Sequence, residues 1–172
     1  MHTNARMMFE RCAVSAFRAG DTVLEVGPSR GNTVLRDMLP AGCEYHYADV
    51  RNFDMGPGRV MMGGPYRIEA DNSAFDVVFA AQVIEHVARP WLWVPELARV
   101  ARRAVILLAP VSYGYHASTG GLDCWRIYAD GMRELLTASG LGVDTVMTNT
   151  LDGTHVDTIG IGTREMMKCT SV

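Results

Sequence analysis

Apolar and polar positions along the chain follow two alternating periods. Compact apolar or β-branched runs at Thr22–Val26, Tyr45–Ala48, Phe75–Ala81, Ala104–Ala109, Val143–Thr148 and Val156–Gly162 read as strands, with a shorter one at Arg59–Met62. Between them lie stretches at helical spacing. Residues 3–18 place Met7, Met8, Cys12, Val14 and Phe17 on one face, and Gly20 closes them. Further helices are predicted from Asn32 to Met38, from Glu96 to Arg103 with Pro95 in the first turn, and from Asp130 to Ser139 with Asp130 as cap and Gly140 as stop. Strand and helix alternating in this way predict a parallel sheet with helices on both faces. The last two strands are joined by the turn Leu151-Asp152-Gly153 and form a closing hairpin. The fold class is therefore α/β and Rossmann-like, with a seven-stranded, mostly parallel sheet whose last strand is antiparallel.

Composition narrows the setting. The chain has 172 residues, which suits a single domain, and carries a formal charge of −3 with a pI near 5.9. That balance argues against a nucleic-acid surface. No apolar run approaches the ~20 residues needed to cross a bilayer, and Glu10 and Arg11 interrupt any signal-like start. Cys12, Cys43, Cys124 and Cys169 are widely spaced without a CxxC pair, as expected of reduced thiols in a cytoplasmic protein without a zinc site.

The first chemical signal is Thr22-Val-Leu-Glu25-Val-Gly27-Pro28-Ser29-Arg-Gly31. A strand passing through a glycine turn into a helix start lets backbone N–H groups and the positive dipole end meet a ligand. Glu25, two residues before the first glycine, disfavours phosphate and favours a cationic or amino-acid-bearing ligand. Asp49 ends the next strand, 18 residues past Gly31. An acidic side chain there either accepts two hydrogen bonds from a ribose diol or caps the turn before Arg51-Asn52. After the run Phe75-Asp76-Val-Val-Phe-Ala80-Ala81-Gln82 comes Glu85-His86-Val87. Ala80 and Ala81 leave room for a ligand to approach, and Asp76, at the strand's far end, is structural. Glu85 suits a helix start, and His86 is either a ligand-facing or a surface histidine.

These segments resemble the class I S-adenosylmethionine-dependent methyltransferases. Residues 22–31 are similar to their motif I, with Ser29 replacing the middle glycine, and the Phe-Asp-Val-Val strand with its Glu-His-Val turn is similar to motif IV. Pro65-Tyr-Arg-Ile68, His116 and Leu122-Asp-Cys-Trp-Arg-Ile-Tyr-Ala-Asp-Gly-Met132 resemble a small bacterial subfamily associated with glycan or natural-product biosynthesis. The resemblance implies the cofactor S-adenosyl-L-methionine, held by Glu25, Gly27, Pro28, Ser29, Gly31, Asp49, Val50, Ala81 and Gln82. It implies a small-molecule or sugar-type acceptor methylated at oxygen or nitrogen. Gly63-Gly64 stand where the subfamily usually has acidic residues near the adenine, leaving that contact to backbone or to Tyr66–Ile68.

The acceptor side is expected from residues 110–128, a long segment without an element of its own, at the carboxyl ends of the strands. Tyr113, Tyr115, Trp125 and Arg126 are candidate substrate contacts, with Trp91 and Trp93 as another wall. Equally, Trp125 and Tyr128 pack the segment down while Asp123 and Arg126 pair. His116, with His86 second, is the candidate general base for an oxygen acceptor, a role worth roughly 10²–10⁴-fold. No Asp/Asn set of the catechol type is present, so no metal is expected. A poorly covered mouth suggests a homodimer or closure by the 110–128 segment. Two rival classes share the strand–turn–helix: a nicotinamide dehydrogenase, which would prefer a third glycine and no Glu25, and a non-catalytic cofactor-binding partner subunit.

Overall fold

The computed structural model describes residues 2–29, 34–51, 54–117 and 122–164. Its strands are β1 (Thr22–Val26), β2 (Glu44–Ala48), β3 (Arg59–Val60), β4 (Met62–Gly64), β5 (Arg67–Ile68), β6 (Phe75–Ala81), β7 (Ala101–Pro110), β8 (Gly142–Asn149) and β9 (Asp157–Thr163). The α-helices are α1 (Thr3–Met8), α2 (Pro90–Val100) and α3 (Ala129–Ala138). Seven strands form one sheet in the order β3-β2-β1-β6-β7-β9-β8, while β4 and β5 make a separate antiparallel pair. β1 pairs in parallel with β2 and β6, and β6 with β7. β9 is antiparallel to both β7 and β8, so it alone runs against the rest.

Strand alternation splits the core in two. Leu24, Val26, Val78, Ala80, Val105 and Leu107 face α2 and α3, where Trp93, Val94, Leu97, Met132 and Leu136 cover them. Val23, Val77, Phe79, Ile106 and Leu108 face the N-terminal segment, packed by Ala5, Met8, Phe9 and Phe17. Both faces are apolar because both are covered, which is why the central strands read as continuous apolar runs. Asp76, at the start of β6, accepts from the Thr22 backbone N–H at 3.0 Å and from Arg102 Nη1 at 2.8 Å, joining three strands at the end away from the site.

Several elements differ from their sequence-based limits. Residues 3–16 are helical, but α1 gives way to a π-helical stretch at Phe9–Ala13 and a 3₁₀ turn at Val14–Ala16. Buried Asn4 anchors this segment, donating from Nδ2 to Asn149 O (3.1 Å) and to Asp157 Oδ2 (2.6 Å). The expected helix from Asn32 begins outside the described residues, and its described end is a 3₁₀ turn at Arg36–Met38. The third strand is shorter than expected, because the chain leaves β3 after Val60 to form the β4–β5 pair. The helix predicted at Glu96–Arg103 instead spans Pro90–Val100, with Pro90 in its first turn and Pro95 inside. Pro95 removes the donor for the Trp91 carbonyl. Trp91 itself is 54% exposed. Asp130 lies in the first turn of α3 rather than capping it, the cap position being Tyr128, whereas Gly140, at φ +77°, does end the helix.

Helix α3 lies close on β9 because that strand presents glycine. A Cβ on Gly160 would collide with the Met132 side chain and lie 3.1 Å from Leu136 Cδ1. Gly160→Ala should therefore cost about 1–3 kcal/mol, the usual range for overpacking, measured by urea unfolding. A loss below about 0.5 kcal/mol would show that α3 shifts to make room.

Candidate active site

In an open α/β sheet ligands bind outside the carboxyl ends of the strands, where strand order reverses. Here that point lies between β1, with β2 on one side, and β6 on the other. A cavity of about 650 Å³ opens there, within the usual range for small-molecule sites. Its first wall is Val26, Gly27 and Ser29 after β1, with Asp49, Val50 and Arg51 after β2. Its second is Met62, Pro65 and Tyr66 from the β4–β5 pair, with Trp93 behind. Gln82, Val83 and His86–Ala88 after β6 form the floor, and His2, Tyr113, His116 and Leu122 close the far end.

Two backbone positions shape the turn. Gly27 sits at φ +77°, and a Cβ there would lie 2.7 Å from Val83 Cγ2, so only glycine lets the β1 turn rest on the segment after β6. Its N–H donates to Ala48 O at 2.8 Å, tying the turn to β2. Gln82 takes φ +58°, a strained value for a side-chain-bearing residue. Its backbone N–H donates to Leu108 O (2.8 Å) and its Nε2 to Asp157 Oδ1 (3.0 Å), which holds the conformation.

Among the anticipated cofactor contacts, Gly27, Ser29, Asp49, Val50 and Gln82 line the cavity, and Gly31 lies outside the described residues. Pro28 and Ala81 are adjacent but not in the lining; the Pro28 carbonyl accepts from Arg51 Nη2 at 3.1 Å. Arg51 also grips Asp49, with Nε 2.9 Å from Oδ1 and Nη2 2.6 Å from Oδ2. Glu25 stands outside the lining. Its carboxylate faces Tyr45, whose hydroxyl donates to Oε2 at 2.6 Å, and burial pushes its pKa up to about 7.

The far end is an aromatic cluster. His2 stacks on Tyr113 with ring centroids 5.5 Å apart and on His155 at 4.3 Å, while the His116 ring meets Tyr113 edge-on at 4.8 Å and His86 at 5.1 Å. Beneath His86 and His116 lies Glu85, fully buried, whose carboxyl burial pushes up to about 8. The loop carrying His116 is held by Asp123 and Arg126. Arg126 Nη2 donates to Asp123 Oδ2 at 2.8 Å and Nη1 to Oδ1 at 2.5 Å, while Nε reaches Tyr113 O at 2.8 Å. Asp123 Oδ2 also accepts the His116 backbone N–H at 2.6 Å. The guanidinium, above all, holds the Asp123 carboxyl well below the usual carboxylate range.

The pairing of Asp123 with Arg126 and the packing of Trp125, whose Nε1 donates to Val87 O at 2.9 Å, thus place both residues under the cavity's edge rather than in its lining. Tyr115 points outward at 82% exposure, and Trp91 meets Trp125 edge-on outside the lining. The sequence reading missed His2, Met62, Val83 and Arg51. His2 reaches the cavity only because Asn4 docks on β8 and β9, a tertiary contact without a local signature.

No protein-family model matches the chain, and no curated protein matches it in sequence. Solved structures do match. An S-adenosylmethionine-dependent methyltransferase from Aquifex aeolicus superposes with a TM-score of 0.64 at 16% identity, over 92% of this chain and 93% of that one. The 1,6-didemethyltoxoflavin N1-methyltransferase of Burkholderia thailandensis, solved with 1,6-didemethyltoxoflavin and S-adenosylhomocysteine, gives 0.72 at 12% identity over 93% and 78%. The [4+2]-cyclase SpnF gives 0.68 at 14% identity over 93% and 79%. The chain has the class I methyltransferase fold.

The clamp and the buried carboxylate each give a prediction. Arg126→Ala leaves the Asp123 side chain, 1% exposed, without its cation, and should cost about 3 kcal/mol in urea unfolding. Arg126→Lys should recover little, because a lysine cannot supply the two-pronged fork. A loss under about 1 kcal/mol for Arg126→Ala would mean the loop is held elsewhere. For Glu25 the folded pKa lies above the ordinary carboxylate value, so the folded state retains a proton that the unfolded chain releases. Stability should fall as pH rises from about 4.5 to about 7. Glu25→Gln should flatten that fall and gain on the order of 3 kcal/mol at pH 8, with little change at pH 4. Parallel stability curves for variant and wild type would contradict the assignment.

Proposed function

We propose that this chain is an S-adenosylmethionine-dependent methyltransferase acting on a small-molecule or sugar-type acceptor at oxygen or nitrogen. The observation that carries the reading is a single cavity joining the Gly27–Asp49 wall to the His86–His116 end. Three features fit an adenosyl-methionyl ligand: a turn that a Cβ at Gly27 would close, a carboxylate at the end of β2, and an apolar wall of Met62, Tyr66 and Trp93.

In this reading Gly27 and Ser29 approach the amino-acid portion with backbone, while Glu25, Pro28 and Ala81 stand behind them and set the turn. Asp49 accepts from the ribose hydroxyls in place of the Arg51 guanidinium, with Val50 beside it, and Tyr66 takes the adenine side that Gly63-Gly64 leave without a carboxylate. When bound, the cofactor supplies an electrophilic methyl group. The chain's task is then to hold the acceptor in line, which supplies much of the acceleration in a displacement. Tyr113, His86 and His116 form the walls nearest the acceptor, and the two imidazoles ease the departure of its proton. The subfamily resemblance, with its link to glycan or natural-product biosynthesis, supports a polar acceptor. The Burkholderia enzyme is an N1-methyltransferase, bound to 1,6-didemethyltoxoflavin.

S-adenosylhomocysteine should raise the melting temperature of the wild type, because a ligand that binds only the folded state stabilises it by mass action. Asp49→Ala should remove most of that shift. His116→Ala should keep the shift yet lower kcat by about 10²–10⁴-fold once an acceptor is found by screening. An undiminished shift in Asp49→Ala would overturn the assignment of the nucleoside end; near-normal kcat in His116→Ala would overturn that of the acceptor end.

A further inference from the structure

Glu85 is unusual among the buried acids. It is fully buried, and neither carboxylate oxygen has a hydrogen-bond partner. Asp157 accepts from Asn4 and Gln82, and Glu96 from Arg99 and the Ile68 backbone. A buried acid without a bonding partner is rare in a native fold and calls for a counterpart.

Two imidazole nitrogens face Glu85 Oε1, His86 Nε2 at 3.7 Å and His116 Nε2 at 3.9 Å. Both rings have their other nitrogen committed. His86 Nδ1 bonds the Leu122 carbonyl and His116 Nδ1 the Gly114 carbonyl, the latter at 3.0 Å. A carbonyl can only accept, so each Nδ1 carries the proton and a neutral ring keeps its lone pair on Nε2. The same outer hydrogen bond orients the histidines of metal sites. Two imidazole lone pairs and a carboxylate oxygen therefore converge, all within 4.8 Å of one another, at the end of the cavity that His86 and His116 line.

We propose that Glu85, His86 and His116 bind one divalent transition-metal cation, with its open coordination positions facing the cavity. Bond lengths of about 2.0–2.2 Å bring the ligand atoms to roughly 3.0–3.4 Å apart. The Glu85–imidazole distances need to close by less than about 1 Å to reach that range, the imidazole pair lies within 4.8 Å, and His86 stands at the end of a single 3₁₀ turn, Ile84–His86. Two imidazoles and one carboxylate suit zinc, iron(II), cobalt or nickel better than magnesium or calcium. The sequence hides this set, since Glu85 and His86 are adjacent and His116 is remote. A second group, His2, Asp152 and His155, lacks the same readiness. Asp152 already accepts from the Thr154, His155 and Asn4 backbone and from His155 Nδ1. The open positions would take an oxygen or nitrogen of the acceptor, and with the cation bound it would be the metal, rather than a free imidazole lone pair, that eases the departure of the acceptor's proton; that extension alone rests on the methyl-transfer reading.

Titrating the chelator-stripped protein with Co²⁺ and following the visible d–d absorption tests the site without any turnover assay. The expected result is one Co²⁺ per chain, displaced by Zn²⁺. His86→Ala and His116→Ala should each weaken binding by more than about 100-fold, beyond the cost of losing an outer-sphere partner. Glu85→Gln should behave alike, and His155→Ala should bind as the wild type does. Absence of the cobalt spectrum at millimolar metal, a spectrum that survives both His86→Ala and His116→Ala, or one lost in His155→Ala alone would overturn the proposal. The S-adenosylhomocysteine melting shift, recorded on the same samples, separates the two readings. A shift without cobalt binding defeats the cation site alone, and cobalt binding without a shift supports the site while defeating the methyl-transfer reading.

Discussion

The pair between Arg126 and Asp123 organises the His86–His116 end of the cavity. The described residues of 111–117 and 122–128 contain neither helix nor strand, so no backbone ladder holds them over the sheet. Isolated bonds do so instead: the Val111 and Ser112 N–H groups donate to Val156 O and the Cys124 N–H to Glu85 O, while the Arg126 guanidinium ties the two stretches together through the carboxylate of Asp123 and the carbonyls of Tyr113, Gly114 and Trp125. Asp123 in turn fixes the backbone of His116. A planar fork with several donors in fixed directions can hold that many acceptors at once, which a point charge on a flexible stem cannot. The clamp helps bring His116, Tyr113 and Leu122 into one cavity with residues from the ends of β1, β2 and β6.

The opposite wall rests on a different constraint, close packing of backbone at the point where strand order reverses. Gly27 lets the turn after β1 settle on Val83, and Gln82 accepts a strained φ so that the chain can turn from β6 beneath it. Strain of this kind persists where surrounding bonds over-determine it, and here Leu108 and Asp157 do so. Asp157 links the two ends of the site. It receives Gln82 from the wall after β6 and Asn4 from the segment that delivers His2.

The fold was legible wherever burial is two-sided. The run Phe75–Ala81 is a strand over its full predicted length, because a short, largely apolar, β-branched and aromatic segment is buried on both faces at the centre of the sheet. The closing hairpin was equally plain from its turn. Pro95 misled because a proline is disfavoured inside a helix and favoured in its first turn, a place that Pro90 fills here. In the candidate site, Gly27 and Asp49 follow from the logic of strand ends and indeed line the cavity. Glu25, chosen for its place before the glycine turn, and Trp125 and Arg126, chosen for residue type on a long loop, stand outside the lining, since neither position nor type reveals which way a side chain turns. Glu85 read as an ordinary helix-start acid. Its isolation emerges only when the loop near residue 116 folds over it, a pairing between positions some thirty residues apart along the chain.

A crystal structure with S-adenosylhomocysteine bound addresses the central claim most directly, that one cavity holds the nucleoside at β2 and the transferable group beside the imidazoles. The account predicts ribose hydroxyls on the Asp49 carboxylate with Arg51 displaced from it, and the ligand's sulfur directed toward His86 and His116. A ligand lying outside this cavity, or seated in it with its sulfur turned away from both histidines, would contradict the account.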